Sequence, residues 1–273
     1  MTTQSTSSTF CSETWAAIAA HEARFERFVG AYLQSHPHPM LRLKREHSLN
    51  VLAHARTIVQ AEGIQGEAGR AALLAALYHD TGRFPQFVRW KTFSDAQSTN
   101  HGTLGVRVVK KEGFLLDEPS RLQHLTLAGI ALHNRYRLPK NFSGTAALVT
   151  QVTRDADKLD IMRIMAKCLN DPIPADDIVL HVLDEPEQWS PHIVQTVLAG
   201  RVPGYSDLRY INDFRMLLAT WLQDLFFAGS RRELACSGQV EQVLAGLPQV
   251  RELEPVRAYL AEQVRKARES RAI

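Results

Sequence analysis

Residues 66–83 read GEAGRAALLAALYHDTGR, and the fold turns on how they are read. From Gly66 to His79 nothing interrupts a helix, and Thr81-Gly82 ends it. His79 shares its face with Ala72, Ala75 and Ala76, small residues that let a neighbouring helix approach closely. The helix therefore carries an imidazole, and Asp80 directly after it, into apolar surroundings. Burying such groups unpartnered costs roughly 2–7 kcal/mol each, so they must meet partners from elsewhere in the chain.

Outward from this segment the pattern stays helical. Ile18, Ala19, Phe25, Phe28, Val29 and Leu33 predict a helix over 13–34, which SHPHPM breaks. Leu49, Val51, Leu52, Ala55 and Ile58 predict a second from His47 to Ala61, closed at Glu62-Gly63. Ser98 or Thr99 caps a helix through Lys110, and Pro119 takes the first position of one reaching His133. Ser143 or Thr145 opens a long helix to about Leu169. Beyond Pro172 the most apolar stretch is 207–227, and a charged amphipathic helix covers about Val250 to Arg268. No period-2 alternation argues a sheet, and no repeat or Gly/Ser linker occurs. The fold class expected is all-α.

Composition narrows the function classes. A hydrophobic fraction of 45% and a charged fraction of 22% are those of a soluble globular protein. A net charge of +3 argues for neither nucleic acid nor membrane as partner. The longest apolar run, Ala71 to Tyr78, is far below the roughly 20 residues of a membrane-spanning helix. The first ten residues, MTTQSTSSTF, are polar and expected to fray; no signal peptide is read in them. Cys11, Cys168 and Cys236 show neither zinc-site spacing nor a disulfide framework, so a cytoplasmic location is expected.

The chemistry-bearing residues, in chain order, are His47, His79-Asp80, His101, His133 and one of Asp155, Asp157 and Asp160. Each lies near a predicted helix end or on a partly apolar face, and a metal ion would satisfy them together. Singly, each histidine is a common core residue, and a chain with eleven histidines contains an HD dipeptide by chance about as often as not. Their order is what carries information. The stretches REHSLNVLAHA, AALYHDTGRFPQF, NHGTLGVRVV, GIALHNR and RDADKLDIM resemble the HD-domain superfamily of metal-dependent phosphohydrolases.

That resemblance implies an HD-type helical bundle over residues 1–170, with its motifs in 44–165, and a C-terminal helical extension over 171–273. It implies that His47, His79, Asp80 and Asp157 hold a first metal ion; the family's Ala-Asp-x-Leu string selects Asp157, which periodicity alone does not. It further implies that His101 and His133 serve a second ion, bridged by Asp80. The chain departs from some binuclear relatives in having His133-Asn134 where a His-His pair would stand, and HDTGR where many have HDxGK. Imidazole and carboxylate donors without thiolate suit Mn, Fe, Co, Ni or Zn.

Three residues are candidates for catalysis. Asp80 is read as ligand, and as proton acceptor if one ion binds. Arg83 either reaches a phosphate oxygen or serves as a helix-terminus charge. Lys158 either contacts substrate or neutralises the acidic DAD. His54, two turns after His47, and Arg135, after His133, are peripheral candidates; His21, His36, His38, His124, His181 and His192 match no motif. The activity expected is hydrolysis of a nucleotide or other small phosphorylated metabolite, by a protein that can form a homodimer. A di-iron oxygenase of the same fold and a nucleotide-binding sensor are the alternatives.

Overall fold

The computed structural model describes residues 12–170 and 182–270. The frayed start expected for the first ten residues, and Cys11, Pro172 and His181, lie outside them. Among the described residues there is no strand, only an isolated parallel bridge between Leu183 and Tyr210, and the protein is all-α. No described helix is long and apolar enough to cross a membrane. The chain divides into two compact units, Met1–Asp157 and Lys158–Ile273.

The first unit is built around helix α3, Gly66–Tyr78, whose residues Ala71 to Tyr78 are all fully buried. An apolar stretch with no polar face can only be a central helix. Around it lie α1 (Ser12–Ser35), α2 (Pro39–Ala61) and α6 (Ser120–Leu132). Small residues set these distances: a Cβ added at Gly129 of α6 would stand 2.7 Å from that of Ala75. Phe25, Phe28, Tyr78, Phe84 and Phe114 interlock, four of their contacts edge-to-face and Tyr78 stacked on Phe114.

Helix α2 begins eight residues earlier than its periodicity predicts. Pro39 occupies its first turn, where the missing N–H costs nothing, and the His38 ring accepts a 3.2 Å hydrogen bond from the Met40 amide. SHPHPM is thus the cap of α2 as well as the break before it. Helix α4, Arg83–Trp90, is not anticipated by the periodicity; its Pro85 stands in the first turn, where proline is tolerated. Helix α5, His101–Lys111, is capped by Asn100 rather than Ser98 or Thr99, its side chain accepting from the Thr103 amide at 2.9 Å. Pro119 is the cap of α6 rather than its first residue. Helix α7 covers Gly144–Cys168.

The second unit has the same logic. Helix α9, Ile211–Asp224, is buried from Asn212 to Leu222 and is contacted by α8 (Pro191–Leu198), α10 (Ala228–Cys236), α11 (Gln239–Ala245) and α12 (Glu254–Glu269). Asp213 is fully buried, and its carboxylate accepts from the Ser190 amide and hydroxyl and from the amides of Arg209 and Tyr210. Arg215 turns its guanidinium onto the carbonyls of Val243 and Leu169.

Candidate metal centre

Five elements bring the histidines and aspartates of the motif together. Residue His47 stands on α2, His79 and Asp80 follow α3, His101 opens α5, His133 caps α6 and Asp157 lies on α7. All but Asp157 are buried, and Asp157 keeps a side-chain exposure of 15%. Two overlapping groups have ligand atoms close enough to share an ion: His47, His79 and Asp157, and His79, Asp80 and His133.

Helix ends set the state of the imidazoles. His79 and His133 each directly follow a helix, where carbonyls lack intrahelical partners. Their Nδ1–H groups donate to the carbonyls of Ala76 at 2.7 Å and Ile130 at 2.8 Å. A carbonyl only accepts, so Nδ1 carries a proton, and in the neutral imidazole the facing Nε2 is the bare nitrogen. His101 Nδ1 lies 2.7 and 2.8 Å from the two oxygens of Asp95, and a carboxylate imposes the same tautomer.

Electrostatics keep this state. Burial, with the nearby His101 and His79, lowers the His133 pKa to about 3. Burial and Arg83 lower that of His101. For Asp95, burial pulls upward, but hydrogen bonding and charge from His101, Arg83 and Gln86 bring it down to about 2.

The Nε2 atoms face one another in two pairs. His101 Nε2 and His133 Nε2 are 3.0 Å apart, and His47 Nε2 and His79 Nε2 3.2 Å. In the first pair neither nitrogen carries a proton, so lone pair meets lone pair. A cation between them converts that repulsion into coordination, and on this observation the donor set fits a metal.

Asp80 lies between the two pairs. Its Oδ2 is 3.6 Å from both His47 Nε2 and His79 Nε2; its Oδ1 is 3.6 Å from His101 Nε2 and 3.8 Å from His133 Nε2. Burial pushes the Asp80 carboxyl up, but Lys44, His79, Arg83 and His101 together hold it well below the usual carboxylate range. Asp157 Oδ1 is 3.1 Å from His47 Nε2 and 3.6 Å from His79 Nε2; burial pulls its carboxyl upward, but these two imidazoles hold it well below the usual carboxylate range. Of its competitors, Asp160 pairs with Arg163 at 2.7 Å and Asp155 is buried on the same helix.

The remaining candidates are placed as follows. Arg83 Nη1 donates to Gln86, to the Phe93 carbonyl and to Asp95, and its Nε lies 3.4 Å from Asp80 Oδ1. Lys158 pairs with Asp224 rather than with a member of the cluster, and Arg135 is exposed. His21, which matches no motif, is buried between the Tyr78 hydroxyl at 2.9 Å and Glu118 at 2.8 Å.

Sequence reading passed over Lys44, Asp95 and Gln86, and took Asn134 only as a departure from the His-His pair of some relatives. Lys44 Nζ donates to Asp80 Oδ2 at 2.7 Å, and Asn134 Nδ2 donates to Asp95 at 3.2 Å. Lys44 stands one turn before His47, a spacing that would single it out only once α2 was known to extend that far back.

A helical domain whose ends converge on imidazoles and carboxylates is a protein with a site compatible with a metal. The family model described as HD domain matches residues 45–162, the stretch containing every one of these motif residues. Over that stretch the chain is similar to the HD domain, a family that includes metal-dependent phosphohydrolases. No curated protein and no solved structure gives a significant match to it.

Proposed function

We propose that this protein is a metal-dependent phosphohydrolase acting on a nucleotide or another small phosphorylated metabolite. The observation that carries the reading is Asp80, which turns one carboxylate oxygen to each of two imidazole pairs. His47, His79, Asp157 and Asp80 Oδ2 would hold one divalent ion, and His101, His133 and Asp80 Oδ1 a second. The donor set suits Mn, Fe, Co, Ni or Zn. When bound, such ions lower the pKa of a water toward about 7 and polarise a phosphoryl oxygen.

The chain's own residues prepare that chemistry. The depressed pKa of Asp80 keeps it anionic, which favours the ligand role over that of proton acceptor. Lys44 and Arg83 approach opposite oxygens of Asp80, and both lie 5.6 Å from the Phe93 ring, a cationic border suited to a phosphate. Because Arg83 is engaged by Asp80, Gln86, Phe93 and Asp95, its proposed role is to orient these groups, which leaves Lys44 nearer the part of phosphate contact. Lys158, paired with Asp224, takes a charge-balancing part.

The test is to purify the protein without chelators and measure its metals by elemental mass spectrometry. It is then assayed against an aryl phosphate and a nucleotide panel beside Asp80→Ala. One or two equivalents of a transition metal, with phosphate release abolished in Asp80→Ala, is the expected result. Two irons with no hydrolysis under any added metal would sink the proposal in favour of dioxygen chemistry.

A further inference from the structure

Asp95 lies outside every motif, in the segment between α4 and α5, yet five donor groups converge on its carboxylate. Its Oδ1 accepts from Gln86 Nε2 at 3.0 Å and Arg83 Nη1 at 3.2 Å; its Oδ2 accepts from the His101 amide at 3.3 Å and Asn134 Nδ2 at 3.2 Å. Both oxygens lie within 2.8 Å of His101 Nδ1. Gln86 is itself fully buried, and its amide also donates to Ser98 Oγ and the Thr99 carbonyl. A carboxylate held from this many directions has one placement, and it allows the facing imidazole one tautomer and one plane.

We infer that Asp95 is a positioning residue: it locks His101 as the Nδ1–H tautomer, so that Nε2 is offered bare beside His133 to the second ion. The inference rests on the two-ion reading proposed above and adds a residue to it. It also gives Asn134 a part. Where some relatives carry a second histidine, this chain has an amide 3.2 Å from both Asp95 Oδ2 and His101 Nδ1; with Nδ1 protonated its N–H goes to Asp95, supporting the ligand's partner rather than adding a ligand.

The proposal makes an unusual prediction about an isosteric change. In Asp95→Asn one oxygen becomes an NH2 group. Since His101 Nδ1 lies against both positions, one N–H then faces another. The imidazole escapes by moving its proton to Nε2, which removes the metal donor. In Asp95→Ala the imidazole is free to take either tautomer, so the donor is lost only in part. A purely structural role would rank the two variants the other way, because Asn preserves volume and Ala does not.

The experiment uses full-length, metal-stripped protein in two measurements. Long-range 1H–15N correlation spectra of histidine-labelled protein report the His101 tautomer, and Co2+ titration reports the affinities of the two ions. The wild type is expected to show Nδ1–H at His101 and two Co2+ sites. Asp95→Asn should show Nε2–H, with the weaker site loosened roughly 10–100-fold and the tighter one unchanged; Asp95→Ala should fall between. Thermal melts of the metal-free variants check that each is folded. An Asp95→Asn protein that keeps Nδ1–H at His101 and its weaker site overturns the inference. His101→Ala is run alongside. If the wild type takes up one Co2+ and His101→Ala matches it, the two-ion reading fails, while the tautomer spectra still decide whether Asp95 sets His101.

Discussion

Gly82, the glycine of HDTGR, ought to be intolerant of a single added methyl group, and the structure says by how much. Its φ of −65° and ψ of −23° are ordinary for alanine, so Gly82→Ala carries no backbone strain. The new Cβ would instead lie 2.4 Å from the His101 carbonyl oxygen, 2.6 Å from the Gly105 nitrogen and 3.1 Å from the Gly105 Cα. All three are backbone atoms of α5, so no side chain can rotate away. Restoring ordinary contact distances requires α5 to withdraw by about 1 Å. Overpacking of this kind costs roughly 1–3 kcal/mol. At about 2–4 °C per kcal/mol, the melting temperature of metal-free protein should fall by roughly 2–12 °C. His101 opens the displaced helix, and a shift of about 1 Å exceeds the roughly 0.5 Å tolerance of a preorganised site. The affinity of the weaker ion should therefore fall as well. Gly30→Ala is the control: nothing lies within 4 Å of that position, and the change should stabilise α1 by roughly 0.5–1 kcal/mol. A Gly82→Ala protein that melts within about 1 °C of wild type and binds metal normally would refute the account of how α5 meets the HD turn.

Three further outcomes are expected. Burial, partly offset by the hydrogen bond to Glu118, lowers the His21 pKa below 6.5, as burial also lowers those of His101 and His133. The unfolded chain then binds more protons below pH 6.5, so stability is full above that pH and declines as pH falls toward the native values. Each such histidine contributes a slope of up to about 1.4 kcal/mol per pH unit, and denaturant titrations between pH 5 and 7 should show a shallower slope for His21→Gln than for wild type. Asp213→Ala leaves the amides of Ser190, Arg209 and Tyr210 without their acceptor and should cost the second unit about 2–4 kcal/mol, measured by urea unfolding. Adding Mn2+ to stripped protein at a hundredfold excess over its dissociation constant should raise stability by about 2.7 kcal/mol, and Asp80→Ala should blunt that gain in calorimetry.

Much of this molecule is legible from its residues alone. A helix apolar on every side, ending in His79-Asp80, has to be central and has to deliver polar groups to other helices, because no other placement offsets their burial. The order of His47, His79-Asp80, His101 and His133 marks the candidate donors before any coordinate is known. Local chemistry was misread where one residue has two meanings: Pro39, within SHPHPM, looks like a breaker, yet it sits in a first turn where its missing N–H is harmless.

What tertiary structure alone decided is which atoms face which. Periodicity leaves Asp155, Asp157 and Asp160 equivalent, and only the placement of α7 sets Asp157 Oδ1 3.1 Å from His47. The Nδ1–H groups of His79 and His133 are fixed locally, by carbonyls three residues back, but only the meeting of helices turns their Nε2 atoms toward His47 and His101. Asp213 is buried because four donors close around it in space. Propensity and pattern act along the chain and are visible in it. Hydrogen-bond direction and lone-pair orientation arise between segments, and exist only once the helices have met.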